Sequence, residues 1–231
     1  ATMAIMTRSW RKITLACAAM AMQAMAQAQA PASSPAPPAA QRVYEFDVNL
    51  DKRPIGTHRF TVSRQPDGTA DIRSAATFDV KLLGITAYRY RHQAAEQWKE
   101  GCLASIDATT NDNGKSLKVA GLRRDDRFQL DHPTSTPLPA CLAAYAYWDR
   151  DLLLRQDALL NPQTGKLDAL RVEPLGRETL ELQGQAVAAE RYRLHAAQNV
   201  IDLWYSARGD WLRLESTTGS RRLIYRLRAA R

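Results

Sequence analysis

Tyr88-Arg89-Tyr90-Arg91-His92-Gln93-Ala94-Ala95-Glu96-Gln97-Trp98, the middle of a run from Thr86 to Glu100, decides the class of fold. Tyr88, Tyr90, His92, Ala94, Glu96 and Trp98 fall on one side of an extended chain, and Arg89, Arg91, Gln93 and Gln97 on the other. A period of two marks a strand with one face on a core. Upstream, Tyr44, Phe46, Val48 and Leu50 alternate with Glu45, Asp47 and Asn49 in the same way. Pro66-Asp67-Gly68 has hairpin chemistry, and Lys81-Leu82-Leu83-Gly84-Ile85 interrupts the pattern before the long strand. Downstream, Asn113-Gly114 supplies the positive φ angles of a primed turn. Leu167–Val172, Glu178–Leu182, Ala186–His195, Val200–Ser206, Trp211–Thr217 and Arg221–Arg228 read as further strands, with turns at Gln183-Gly184-Gln185, Arg208-Gly209-Asp210 and Thr218-Gly219-Ser220.

One stretch departs from this rhythm. In Cys141–Gly165, Leu142, Tyr145 and Trp148 fall three apart, and Leu152, Leu153 and Leu160 extend the apolar stripe until Asn161-Pro162 and Gly165 stop it. The expectation is a mainly β protein: a large curved antiparallel sheet or partly open β-barrel, with one helical segment, residues 141–160, packed against it. Helices between strands, which a parallel sheet needs, are not seen.

The 231 residues divide unevenly. Arg8, Arg11 and Lys12 precede an apolar run from Ile13 to Met22, and small residues follow at Ala24, Ala26 and Ala28. That is the pattern of a cleavable signal over residues 1–28, with a run too short for a membrane span. Residues 29–41, rich in Ala, Pro and Ser, read as a disordered tether, and 42–228 as a single β-rich domain. The expected location is the periplasm or outside the cell. Without Arg8, Arg11 and Lys12 the net charge falls from +8 to +5. Cys102 and Cys141 then remain as an even pair, a disulfide candidate in an oxidising compartment.

The motifs exclude more than they assign. His58, His92, His132 and His195 are too far apart to form a ligand pair, so no metal or cofactor is expected. His92 and Glu96 share a face, yet four strand residues separate them by about 13 Å, too far for direct proton transfer. The sequence contains no nucleophile elbow, redox pair or phosphate loop, and no catalytic residue is assigned. Nucleic acid is not an expected partner. The aromatic face offers candidate ligand-binding residues: Tyr88, Tyr90, His92, Glu96 and Trp98, joined by Trp148 and Trp204. Arg213, Arg221, Arg222, Arg226, Arg228 and Arg231 make the C-terminal strands basic; alternation with Leu223, Tyr225 and Leu227 puts Arg222, Arg226 and Arg228 on a solvated outer face, and contact with an anionic membrane surface is the further reading. Oligomeric state is not legible.

Lys81-Leu82-Leu83-Gly84-Ile85, Tyr88-Arg89-Tyr90-Arg91-His92, Gly101-Cys102-Leu103, Ala146-Tyr147-Trp148-Asp149, Leu160–Gly165 and Ile201-Asp202-Leu203-Trp204-Tyr205 together resemble a family of exported bacterial proteins catalogued as a domain of unknown function. That family brings no activity and no catalytic residues. More remotely, the β-rich pattern resembles the half-barrels of periplasmic lipoprotein carriers, a likeness of fold alone. The leading expectation is non-catalytic binding of an apolar or lipid-like ligand in a half-barrel. The alternatives are an envelope interaction module with a filled core and an enzyme with a dispersed site. A cavity above ~300 Å³ lined by Tyr88, Tyr90 and Trp98 favours the first. A filled interior beneath an exposed apolar patch favours the second, and His92 and Glu96 converging with a third polar group favours the third.

Overall fold

The structure is a computed structural model that describes residues 40–131, 138–218 and 220–230. The expected signal, residues 29–39 of the expected tether, His132, Gly219 of the last expected turn, and Arg231 lie outside these residues. Ala40 and Gln41, read as the tether's end, already belong to the first strand.

The first half of the domain is a run of strands: β1 (Ala40–Leu50), β2 (Arg53–Arg64), β3 (Ala70–Leu82), β4 (Ile85–Lys99), β5 (Cys102–Asp112), β6 (Lys115–Arg124) and β7 (Arg127–Leu130). Two-residue strands β8 (Leu138–Pro139) and β9 (Ala143–Ala144) and one helical turn, α1 (Arg150–Leu153), follow. The second half is β10 (Ala158–Leu160), β11 (Leu167–Leu182), β12 (Gln185–Ala196), β13 (Asn199–Tyr205), β14 (Trp211–Thr218) and β15 (Arg221–Ala230).

All fifteen strands form one sheet, ordered β8-β7-β6-β5-β4-β3-β2-β1-β15-β14-β13-β12-β11-β10-β9. Apart from the short parallel β9–β10 pair, every ladder is antiparallel, and nearly every strand lies beside its neighbours in sequence. Two places break that rule. β1 pairs with β15, Phe46 opposite Leu227, so the first and last described strands close the middle of the sheet. β8 and β9, consecutive in sequence, form its two edges. The sheet is therefore an up-and-down meander curled toward a barrel, with the seam at residues 140–142.

The tight turns follow their sequence. Leu83-Gly84, Glu100-Gly101, Asn113-Gly114 and Gln183-Gly184 all have positive φ at both residues, the primed geometry that matches strand twist. Leu167–Val172 and Glu178–Leu182, expected as separate strands, are one strand with a register shift between Pro174 and Gly176. A bulge tolerates the proline's missing N–H there.

The curl turns Phe46, Val48, Phe60, Ile72, Leu103, Ile106, Leu194, Leu203 and Trp211 into one core. A smaller apolar cluster of Leu180, Ala189, Trp204 and Leu212 lies apart from it.

The helical expectation for 141–160 holds only at Arg150–Leu153. Leu142, Ala143, Ala144, Ala146 and Trp148 are all buried, so this stretch has no polar face to present to water. It fills the end of the curl as a plug instead of lying on the sheet as an amphipathic rod. The helix begins where Asp149 caps it, accepting a hydrogen bond from Leu152 N–H at 2.9 Å. Asn161–Gly165 is a hairpin turn between β10 and β11, not a helix stop: Asn161 Oδ1 accepts from Gln163 N–H at 3.0 Å, and Gly165 N–H donates to Asn161 O at 2.9 Å.

Two links fix the plug. Cys102 and Cys141 form a disulfide, with Cα atoms 4.9 Å apart across a separation of 39 residues. Beside it, Leu103 N–H donates to Leu142 O at 2.9 Å. One edge of the sheet is thereby tied to β5, inside the other half.

Candidate functional site

A cavity opens in the interior where the inward residues are small. Register aligns them in rows across β2, β3, β4 and β5: His58–Ala76–His92–Thr110, Phe60–Ser74–Ala94–Ala108, and Val62–Ile72–Glu96–Ile106. Ser74, Ala76 and Ala94 are too short to meet the opposite wall, and they floor a cavity of about 250 Å³. Phe60, Ile72, Ile201, Leu214 and Leu223 supply apolar wall, and Tyr145, Tyr147 and Trp148 come from the plug.

The cavity has a closed end and an open one. At the closed end Trp148 meets Trp98 edge to face with centroids 5.6 Å apart, and the Arg64 guanidinium lies 5.2 Å from the Trp148 ring. Tyr205 donates its hydroxyl to Tyr147 O at 2.8 Å, holding the plug against β13. At the opposite end the lining consists of the β10–β11 turn (Asn161, Pro162, Gln163) and the exposed Asn199 at the start of β13.

Polar groups reach the cavity from several strands. His58 Nε2 lies 2.7 Å from Ser74 Oγ and its Nδ1 3.3 Å from Tyr225 Oη; His92 Nδ1 lies 2.8 Å from Thr110 Oγ1. Enclosure disfavours an imidazolium: burial, with a smaller contribution from His92, pushes His58 down to about 3, and burial lowers His92 as well. Both rings are neutral at physiological pH. Glu96 is the one lining residue that can carry a carboxylate, and no Lys or Arg lines the cavity. Burial pushes its carboxyl up to about 7, against the opposing effect of a hydrogen bond from Trp98 Nε1 at 2.8 Å. The site is an apolar chamber with uncharged donors and acceptors and one acid that titrates near neutrality.

Of the residues named from sequence, Tyr90, His92, Glu96 and Trp148 line this cavity. Trp98 lies behind it as the partner of Glu96 and Trp148. Tyr88 is occupied elsewhere, donating to Asp112 Oδ1 at 2.6 Å. Trp204 belongs to the second cluster, between the guanidinium groups of Arg191 (4.9 Å) and Arg213 (5.3 Å), with its indole donating to Glu178. His92 and Glu96 do not share a hydrogen bond; each is held by its own partner. Reading the sequence missed His58, Ser74, Tyr147 and Tyr225. The Pro66-Asp67-Gly68 hairpin carried a signal for the first two, because it sets the register that places His58 one strand over from Ala76. Among the described residues, no group of three or more His, Cys, Asp or Glu side chains is placed to hold a metal ion.

Comparison with known proteins agrees with this architecture and adds no activity. Among curated proteins, none matches the sequence. The chain is similar in structure to a β-barrel-like protein of a domain of unknown function, DUF1849, from Brucella abortus. The TM-score is 0.58 at 9% identity, over 82% of this chain and 96% of that one. At that identity the likeness is one of fold. The family model for a domain of unknown function (DUF6134) matches residues 46–228, nearly the whole described sheet, and the chain belongs to that family.

Proposed function

We propose that the domain binds a small, mainly apolar ligand with an uncharged hydrogen-bonding end, and that it does so outside the cytoplasm without transforming it. The observation that carries this reading is the cavity itself. A β-protein interior is normally packed without voids much larger than a water, whereas this one leaves about 250 Å³ beside His58, His92 and Glu96. That is the volume of about eight waters. It lies under the ~300 Å³ set above, and of Tyr88, Tyr90 and Trp98 only Tyr90 lines it, so the fitting ligand is smaller than the one expected from the sequence, or a chain whose remainder projects through the open end. Missing basic residues argue against an obligate anion. The disulfide and the signal-like residues 1–28 support an oxidising, extracytoplasmic setting.

Native mass spectrometry of protein purified without detergent tests this. A bound small molecule, released on denaturation and absent from an Ala94→Phe variant with unchanged circular dichroism, is the expected result. A wild-type protein that carries nothing, and takes up none of a panel of fatty acids and aromatic alcohols, would remove the proposal.

A further inference from the structure

The β3–β4 hairpin runs on past the rows it shares with β2 and β5, as the β1–β2 hairpin beside it also does, to Leu50–Arg53. The β2–β3 ladder ends at Gly56–Phe78 and the β4–β5 ladder at Tyr90–Asp112, but β3 and β4 stay paired to Leu82–Ile85. At about 3.3 Å per residue the tip stands roughly 15 Å past the last shared row. Its base is braced by Asp79, which accepts from Arg89 (3.2 Å) and Arg91 (2.9 Å), so the projection is a stiff ribbon.

The tip is apolar where water should select against it. Leu82, Leu83 and Ile85 are 59%, 95% and 73% exposed. Leu83 also occupies a left-handed position, φ 51°, where a branched apolar side chain gains nothing from the backbone. At the same place in the other primed turns the chain uses Glu100, Asn113 and Gln183, all polar. Neither burial nor turn geometry accounts for a leucine here.

The surroundings are cationic. Lys52 and Lys166 lie in turns at this end and Arg53, Lys81, Lys115 and Arg221 at strand ends beside them, and none has an ion-pair partner among the described residues. Of the acids at this end, Asp79 is ion-paired with two arginines, whereas Asp112 and Asp51 accept from neutral donors, the Tyr88 hydroxyl and Arg222 N–H at 2.9 Å, and keep their charge; the cations still outnumber them. An apolar point at an end of the sheet where cations outnumber acids matches one partner chemistry, a bilayer surface rich in anionic phospholipid, with acyl chains for the leucines and phosphates for the lysines. The cavity's open end, at Asn161–Gln163 and Asn199, is at this same end of the sheet.

We infer that residues 81–85 are a membrane-contact tip that seats the open end of the cavity on an anionic bilayer. The contact stands on the hairpin alone; only its use in ligand exchange rests on the ligand-binding reading. Co-sedimentation of the purified protein with vesicles of phosphatidylglycerol and phosphatidylethanolamine tests it, with phosphatidylcholine vesicles alongside. Binding to the anionic vesicles, lost at high salt, should weaken at least about tenfold when Leu82, Leu83 and Ile85 are all replaced by Ser. A Leu83→Trp variant should show blue-shifted emission with anionic vesicles alone. Equal binding by the triple-Ser variant, or no binding by the parent, overturns the inference. So does a lipid-free dimer that the triple-Ser variant abolishes, which would give the tip to a second copy of this chain. Ligand retention by the triple-Ser variant is read separately, so failure here and failure of the cavity proposal remain distinguishable.

Discussion

Glu96 and Trp98 sit two residues apart on the same face of β4, and the indole N–H donates to the carboxyl at 2.8 Å. The tryptophan thus holds an acid at the cavity wall whose proton is bound more tightly than in the unfolded chain, at about 7 against 4.5. Between those values the folded state holds the extra proton. The stability from this group is therefore complete below about 4.5 and is lost as pH rises through about 7. His58, lowered from 6.5 to about 3, works in the opposite sense: its contribution is complete above 6.5 and is lost as pH falls toward 3. Glu96→Gln removes the first effect only. Relative to the parent, the variant should gain of order 2 kcal/mol between about pH 4.5 and about pH 8. Urea midpoints at the two pH values check this, and a constant difference would show that the carboxyl ionises freely.

Replacing Cys102 and Cys141 together by Ser should cost about 3–4 kcal/mol, through the freed loop in the unfolded chain, and lower Tm by roughly 10 °C. Denaturation with and without reductant gives the same comparison in the parent. A loss below about 1 kcal/mol would mean that the plug is held by packing alone.

Tyr205→Phe leaves the Tyr147 carbonyl, which now accepts at 2.8 Å, without that donor. The expected loss is about 1–3 kcal/mol, the cost of an unpaired buried acceptor. Hydrogen exchange should rise in 141–153 before it rises in the β1–β6 ladders. Uniform loosening would disprove that local role.

Gly56→Ala should be among the worst single changes in the domain. A Cβ built there would stand 1.8 Å from the Thr77 carbonyl oxygen, which is backbone and has no rotamer to escape into. A loss above about 3 kcal/mol is expected. Gly114→Ala meets nothing within 4 Å and carries only the left-handed strain, so it should cost about 1 kcal/mol.

The strands were legible because burial acts on them with a period of two. Tyr90, His92 and Glu96 could be assigned to one inward face from β4 alone. That 141–160 plugs the sheet was one of two legible placements, but its conformation was not legible, because the spacing of Leu142, Tyr145 and Trp148 coincides with a helical stripe while Ala143, Ala144 and Ala146 between them are buried too. Nor could a single strand show which inward positions border a void. That depends on Ser74, Ala76 and Ala94 lying side by side, a matter of register between strands. Trp204 was misplaced for a related reason. Leu203, Trp204 and Tyr205 are all buried, so alternation on β13 does not separate the core from the outer cluster.

The pairing of β1 with β15 has a consequence for how the molecule is made. Phe46 leaves the ribosome long before Leu227, its partner in the finished ladder. Until then the hydrogen-bonding edge of β1 has nothing to dock against. The hairpins from β2 to β7 can zip locally, but completion waits for the last strand, because the β1–β15 ladder alone joins residues about 180 apart and its loop closure is slow. Such an interval exposes a long unpaired edge to other nascent chains. Yield on refolding should therefore fall with protein concentration more steeply than stability alone would suggest, and a short peptide copying β15 should act as an inhibitor of folding.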